Sequence, residues 1–445
     1  MNCTLLRRHA VRISFFFLSA LLSTNLTAQT NGSNSPYSRY GFGLLSDGAQ
    51  SFNKGMAGVG YAMSDGEQLN FKNPATFALT DSASFLFDIG FTLQNANIGT
   101  KGNRVNARNA RVDYAAAAFR MLPGFGLSVG LRPYSTIGYN LSGTSTFERA
   151  GVDVTQTETY DGDGGLREVY GGLAFAPLHG DKQRLSAGVS VGYLWGELDH
   201  SVQMSFSDAT IYSRNREYKS HISTYKLDFG LLFEQRLSAK SKASIGLVYG
   251  LGHNIGSRAE YYDQQKNGTT VVSADTQRVA SAYSLPHTFG AGLGWNYRDR
   301  LRVGFDYTWQ KWSDVTSPIL SGNTYITSKG QLKDRHSFSL GAEYQPNPRS
   351  NYWRHHLRYR AGVTYSTPYI KVNGEDGPSE YGFSAGVSLP ITSLHNQFDN
   401  IPYLHLSAGF RRVQPKHSWQ VAENYMWVSV GLTFNGSWFQ KSHVY

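Results

Sequence analysis

The sequence is poor in several things, and each shortage excludes a class of protein. Of its 445 residues one is cysteine, Cys3, so once the N-terminus is removed neither disulfides nor thiolate ligands are available. Charged residues make up 17 %, below the roughly 25 % of ordinary soluble domains, while aromatic residues reach 14 %. A disordered chain has the opposite balance. Beyond the N-terminus no run approaches the roughly 20 apolar residues that a spanning helix needs. Ala, Glu, Lys and Leu are too sparse, and the 47 Gly too many, for a long coiled coil. What is left is a β-rich protein, either a large water-soluble one or a transmembrane barrel.

Residues 1–28 are read as a secretory leader rather than as fold. Arg7, Arg8 and Arg12 precede a short apolar core from Ile13 to Leu22, and Thr27-Ala28 before Gln29 offers a small residue at the cut. Cys3 lies ahead of that core, not directly after it, which argues against a lipid anchor. Losing three Arg and no acid lowers the formal charge from +10 to about +7. The remaining basic residues are scattered without a run of five or six, so no nucleic-acid partner is expected.

Period-two alternation carries the fold. Leu301, Val303, Phe305, Tyr307 and Trp309 share one parity, and Arg302, Gly304, Asp306, Thr308 and Gln310 the other. Successive strand side chains point to opposite faces, so this is one apolar face and one polar or small face. Met426, Val428, Val430, Leu432 and Phe434 repeat the pattern, as do Phe338 to Tyr344 and Tyr225 to Phe233. A soluble sandwich also alternates. Long strands, Tyr and Trp at the ends of the apolar parity, and a Gly-, Ser- and Thr-rich opposite parity favour an all-β transmembrane antiparallel barrel with a wet or plugged lumen.

Segments bounded by turn residues number about fourteen, an even count as in bacterial outer-membrane barrels. Tight connections (Leu122 to Gly124, Leu178 to Lys182, Ser238-Ala239, Arg298-Asp299) alternate with longer, polar ones (Gly99 to Asn109, Thr316 to Gln331, Asn373 to Pro378). Both chain ends are therefore expected on the periplasmic side of an outer membrane. Residues 29–81 are too long for a loop. They are rich in Gly yet carry Leu44, Leu45, Phe52, Met56, Val59, Leu69, Phe71 and Phe77, which need burial. A compact N-terminal plug (hatch) is expected there, leaving 82–445 for the barrel.

Two stretches bear a family resemblance. One is Gly58-Val59-Gly60-Tyr61-Ala62 leading to Asn73-Pro74-Ala75. The other is Leu285-Pro286-His287-Thr288-Phe289-Gly290, followed by Phe305-Asp306-Tyr307-Thr308-Trp309 and Trp312-Ser313. Together they resemble the FadL/TodX family of outer-membrane transporters for hydrophobic compounds, and the tail Gly431 to Phe434 with Trp438, Phe439 and Lys441 looks like Bacteroidetes members. The resemblance implies passive uptake of hydrophobic small molecules, of fatty-acid or aromatic type, past a plugged lumen, with a hatch and a strand kink opening the way. Asn73, Pro74 and Ala75 are the hatch candidates. Asn73 is suited to an Asx-type turn completed by Pro74. Pro286 either kinks a strand, because proline cannot donate a ladder hydrogen bond, or simply starts one.

Other constellations lead nowhere. His355-His356 are read as neighbours on opposite strand faces, unable to hold one ion, and Asp161-Gly162-Asp163-Gly164-Gly165 as a flexible turn lacking the later acids of a calcium loop. The chain is read as having no Gly-x-Ser-x-Gly elbow, so nothing marks a nucleophile. No enzyme, metal or cofactor is expected; the expected partners are outer-membrane lipid, lipopolysaccharide and a hydrophobic ligand. An interaction barrel serving protein secretion or surface attachment, and a general porin, are the alternatives.

Overall fold

The structure is a computed structural model that describes residues 34–80, 84–100, 102–350, 352–391 and 401–437. The leader at 1–28, the first residues of the expected plug, and Trp438, Phe439 and Lys441 lie outside the described residues.

Fourteen antiparallel strands form one closed barrel. They are β1 (Ser84–Thr100), β2 (Asn103–Leu122), β3 (Phe125–Pro133, continuing as Ser135–Arg149), β4 (Val152–His179), β5 (Gln183–Phe206), β6 (Ser213–Ser238) and β7 (Ser241–Gly250, continuing as Arg258–Asn267). There follow β8 (Thr270–Ala280, continuing as Thr288–Tyr297), β9 (Leu301–Gln310), β10 (Arg335–Tyr344), β11 (Arg358–Ser366), β12 (Ser379–Pro390), β13 (Tyr403–Gln414) and β14 (Ala422–Ser437). Each pairs with the next, and β1 pairs with β14 from Phe85↔Gly436 to Ile98↔Glu423, which closes the cylinder and removes the sheet edge there.

The apolar parity faces outward. Leu293, Phe305, Leu340, Val363 and Phe383 are exposed and lie side by side in register across five strands, while Asp306 on the opposite parity of β9 is buried. In a soluble core this order would be reversed; here hydrocarbon is the solvent for the Leu, Val and Phe faces. Rings bound the belt at both ends. Phe289 and Trp309 stack at 5.3 Å near one rim, and Trp295 and Tyr297 at 5.7 Å near the other. Phe289 and Tyr297 are roughly 26 Å apart along their strand, which at the ~40° tilt usual for such barrels spans about 20 Å of the membrane normal, most of an outer-membrane apolar band.

Strand lengths differ sharply around the cylinder. β9 and β10 have 10 residues each, whereas β4 has 28, β5 24 and β6 26, so the longer strands run far past the belt at one end. Of residues 99–109, expected as a polar loop, 99–100 and 103–109 belong to this extension. They complete β1 and start β2, paired from Gly99↔Arg104 to Gln94↔Asn109. Outside hydrocarbon a hairpin needs no apolar outer face, so its strands read as polar. Asp161 to Gly165 likewise lie within β4, not in a turn. His355 and His356 sit on a single 3-10 turn, Trp353–His356, ahead of β11 rather than on a strand.

Candidate functional site: the lumen and two breaks in its wall

Residues 34–80 run down the inside of the cylinder. Ser35 donates to Glu423 at 2.6 Å, at the end where the long strands project, and Tyr37 OH donates to Val421 O at 2.6 Å. Phe42 is fully buried between Tyr283 and Trp312, with ring centroids 5.4 and 5.5 Å away, and Tyr369 packs on Trp312 at 4.8 Å. The segment then descends, and Asp65 reaches Arg302 at 2.5 Å near the tight-turn end. The two ends of the described chain therefore do not share a side: residue 437 is at the tight-turn end and Ser35 at the other. The segment threads the lumen instead of staying near its junction with β1; the expectation that both chain ends fall on the periplasmic side concerns residues outside the described ones.

The Gly-rich inner parity has a steric reason. A Cβ on Gly126 would sit 1.8 Å from Phe77 O, on Gly230 2.1 Å from Asn73 Oδ1, and on Gly246 1.9 Å from Tyr61 O. On Gly188 it would sit 2.5 Å from the Pro74 carbonyl, and on Gly362 2.4 Å from that of Met56. The segment's backbone thus lies directly against the wall at several points round the cylinder, which only residues without side chains permit.

The two motifs singled out in the sequence meet here, although more than 240 residues separate them. Gly60 N and Tyr61 N donate to the Asp306 carboxylate at 2.8 and 3.2 Å, Lys72 Nζ lies 3.4 Å from it, and Tyr61 OH is 2.9 Å from Thr308. Burial opposes the charge on Lys72, but Asp306, Tyr61 and Asp47 together outweigh it and raise the Lys72 pKa. Asn73 accepts from Ala75 N at 3.0 Å, an Asx-type turn that caps the 3-10 helix Pro74–Leu79, and donates to Tyr61 O at 2.7 Å and Leu231 O at 3.2 Å. Pro74 and Ala75 are buried against Gly188. Pro286 lies elsewhere, between the bridge at Tyr283–Ser284 and the second part of β8.

Near the tight-turn end the contacts are ionic. Arg302 and Arg358 both bind Asp65, and Arg358 also binds Glu67 and covers Tyr403 at 4.8 Å. Arg360 donates to Glu343 at 2.7 Å and to Gln68 at 3.2 Å. Burial pushes the Asp65 carboxyl up, but the two guanidiniums outweigh it and hold it far below the ordinary carboxylate range. Lys54 reaches Asp113, the extra residue of a β-bulge opposite Gly90–Phe91 that turns its carboxylate inward. Sequence reasoning passed over these charges as ordinary members of the polar parity; their isolation among small residues was the available signal.

Between the ionic end and the aromatic mouth lies a cavity of about 290 Å³. Phe71, Leu251, Leu285 and Trp427 are among its apolar lining, beside Lys54, Arg132, Glu168, Lys226, Asp228 and Asp306. The cations are paired: Arg132 with Glu168 at 3.0 Å, and Lys226 with Asp228.

The cavity reaches the wall at two places where the ladder is broken. The first is a seam between β2 and β3. These strands pair only from Ala115↔Leu131 to Leu122↔Phe125; above that, β2 pairs with β1 alone and β3 from Ile137 with β4 alone. β3 bends at Pro133-Tyr134, where Gly165 has φ +129° and a Cβ would lie 2.5 Å from Ser135 O. Leu44 and Leu45 close the lower part by pairing with Thr136 and Ser135, and Ser46 N donates to Tyr134 O at 2.9 Å. Pro133 carries the same signal that drew attention to Pro286, and it was missed. The second break is where β7 and β8 leave the ladder at 251–257 and 281–287, opposite residues 222–227 of β6.

Gly-x-Ser-x-Gly does occur three times, around Ser128, Ser190 and Ser384, contrary to the sequence reading. Each serine lies within a barrel strand, not on a strand-to-helix turn. Ser128 Oγ donates to Ala117 O at 3.0 Å, and Ser384 Oγ accepts from Ala57 N at 2.8 Å. Among the described residues no group of His, Cys, Asp and Glu is arranged to hold a metal.

Solved structures share this architecture. The CymD monoaromatic hydrocarbon channel superposes with a TM-score of 0.56 at 16 % identity over 88 % of this chain and 99 % of that one. A Pseudomonas aeruginosa FadL homologue gives 0.57 at 13 % over 88 % and 99 %, and the Pseudomonas putida toluene transporter TodX 0.56 at 14 % over 89 % and 99 %. At such identities the likeness is one of fold, so the sequence resemblance to FadL/TodX holds at that level. No curated protein matches the chain. The family model BamG matches residues 10–444, and the chain accordingly belongs to the BamG family.

Proposed function

We propose that this protein is an outer-membrane barrel for passive uptake of hydrophobic small molecules, with residues 29–81 as a plug and the tight-turn end in the periplasm. The observation that carries the reading is the junction of the lumen cavity with the seam between β2 and β3, closed by Leu44 and Leu45. An apolar solute crosses the lipopolysaccharide leaflet poorly. A barrel wall with an unpaired seam offers it a sideways step into hydrocarbon without a full-length aqueous pore.

The mouth fits this role. Phe42 fills an aromatic pocket formed by Tyr283, Trp312 and Tyr369, and a flat or aliphatic solute of similar bulk can take its place. The CymD and TodX structures are of a monoaromatic hydrocarbon channel and a toluene transporter, which supports the same substrate class here. The Asn73-Pro74-Ala75 turn acts as the hatch hinge. It ties the segment to Tyr61 on one side and to Leu231 of the wall on the other.

The test is toluene uptake by proteoliposomes carrying the purified chain, with mass spectrometry of copurifying molecules. Uptake above empty liposomes, lost when a disulfide staples Leu45→Cys to Ser135→Cys and restored by reductant, is the expected result. No uptake by the wild-type chain sinks the reading. A general porin would require a water path, whereas the lumen is crossed by residues 34–80. An interaction barrel has one observation in its favour: residues 142–149 of β3 are exposed and pair on one side only, leaving a strand edge for a protein partner. A stoichiometric copurifying protein would select it.

A further inference from the structure

The second break in the wall has no part in the scheme above. At residues 251–257 and 281–287 the chain leaves the barrel ladder and dips into the lumen, where the bridge Asn254–Ile255 pairs only with Tyr283–Ser284. Ile255 and Ala282 are fully buried there, and Tyr283 packs on Phe42. Gly252 lets the two connections approach each other: a Cβ on it would sit 2.4 Å from His287 N. Pro286 lacks the N–H that would rebuild a ladder at that point. The price is borne by β6. Its residues 222–227 face no continuous partner on that side, only the Leu251 N to Leu227 O bond at 2.9 Å.

One half-buried side chain fills the gap. The His253 ring stacks on Tyr225 with centroids 4.1 Å apart and planes 7° from parallel, and its Nε2 shares a hydrogen bond with Thr224 Oγ1 at 2.9 Å. Tyr225 is half exposed and continues the outward row of Phe229 and Leu231, so it stands at the upper border of the apolar belt. On the inside, Leu251, Leu285 and Pro286 line the central cavity. A ring-sized lid thus separates the cavity from the membrane boundary, and its hydrogen bond and ring contact are to Thr224 and Tyr225 of the wall rather than to the described plug residues.

We infer that this break is a second side window, gated by His253, that passes flat aromatic solutes between the cavity and the membrane boundary. When His253 swings out, the face of Tyr225 is free, and a planar ring of imidazole or benzene size can stack in its place. A long aliphatic chain lacks a face to stack and gains nothing there. The proposal rests on the uptake reading above, but involves different residues from the β2–β3 seam.

The experiment uses the full-length chain in proteoliposomes, with toluene and a long-chain fatty acid as probes. His253→Ala removes the lid and raises toluene flux several-fold with little change for the fatty acid. Leu251→Trp fills the inner side and lowers toluene flux several-fold, again sparing the fatty acid. Barrel integrity is read from heat-modifiable migration. If Leu251→Trp fails to fold, Leu251→Cys serves instead: a lipid-dissolved pyrene maleimide labels it, faster with His253→Ala and more slowly with toluene present. Wild-type toluene flux that neither lid nor inner-side change alters, or Leu251→Cys labelling indifferent to both His253 and toluene, overturns the window. Absence of toluene uptake by the wild-type chain is a separate failure, of the uptake reading itself.

Discussion

The two ends of the lumen are closed by different chemistry. At the tight-turn end Asp65 and Glu67 are bound by Arg302 and Arg358, with Arg360 and Glu343 behind them. At the mouth Phe42 sits among Tyr283, Trp312 and Tyr369. A buried ion pair resists loss of either partner, because the survivor is left charged and dry. An aromatic contact can be exchanged for a solute ring at little cost, since one apolar surface replaces another. On the uptake reading proposed above, the lower end stays shut and the upper end yields, with the same inserted segment anchored below and exchangeable above.

The largest effect expected from breaking this contrast is at the anchor. Asp65→Ala with Glu67→Ala strips Arg302 and Arg358 of their carboxylates on the segment and destabilises its seat by about 3–5 kcal/mol. Protease cleavage within residues 34–80 should appear, with the barrel's heat-modifiable migration retained. A segment as protected as in the wild type would remove the anchoring role. Since Asp65 is held far below its ordinary range, the anchor is complete above about pH 4 and is lost only as pH falls below it. Protection measured at pH 8 and pH 5 should be equal.

A middling effect is expected where the segment lies on the wall. Gly292→Ala puts a Cβ 2.6 Å from Tyr61 Cβ, and overpacking there should cost about 1–3 kcal/mol. The thermal midpoint of the folded barrel should drop, which differential scanning calorimetry reads directly. The smallest change in stability accompanies Asn73→Ala with Pro74→Ala, worth about 0.5–2 kcal/mol for the lost cap. Its expected signature is functional: lower toluene uptake with an intact barrel. Unaltered uptake in this variant would remove the hinge role from Asn73 and Pro74.

Much of the wall was legible because the signal is local. Leu301 to Trp309 alternate with Arg302 to Gln310, and period two alone fixes which parity goes to hydrocarbon. The polar extensions at 99–109 and 161–165 were misread because strands beyond the membrane lose the apolar parity on which that signal depends. Asn73 could be read from its own neighbours, since an Asx turn involves only the next two residues. The partners of Asp65 and Asp306 could not, since Arg358 and Gly60 are brought to them by closure of the cylinder.

The sequence by itself determined that the chain forms a membrane barrel with a buried N-terminal segment, because side-chain parity and the need to bury Phe42, Phe52 and Phe77 are written residue by residue. Only the tertiary structure decided where that barrel is incomplete. A missing ladder bond at Pro133 or around Gly252 is a relation between strands distant in sequence, and which strand fails to meet which is fixed only once all fourteen are closed on one another.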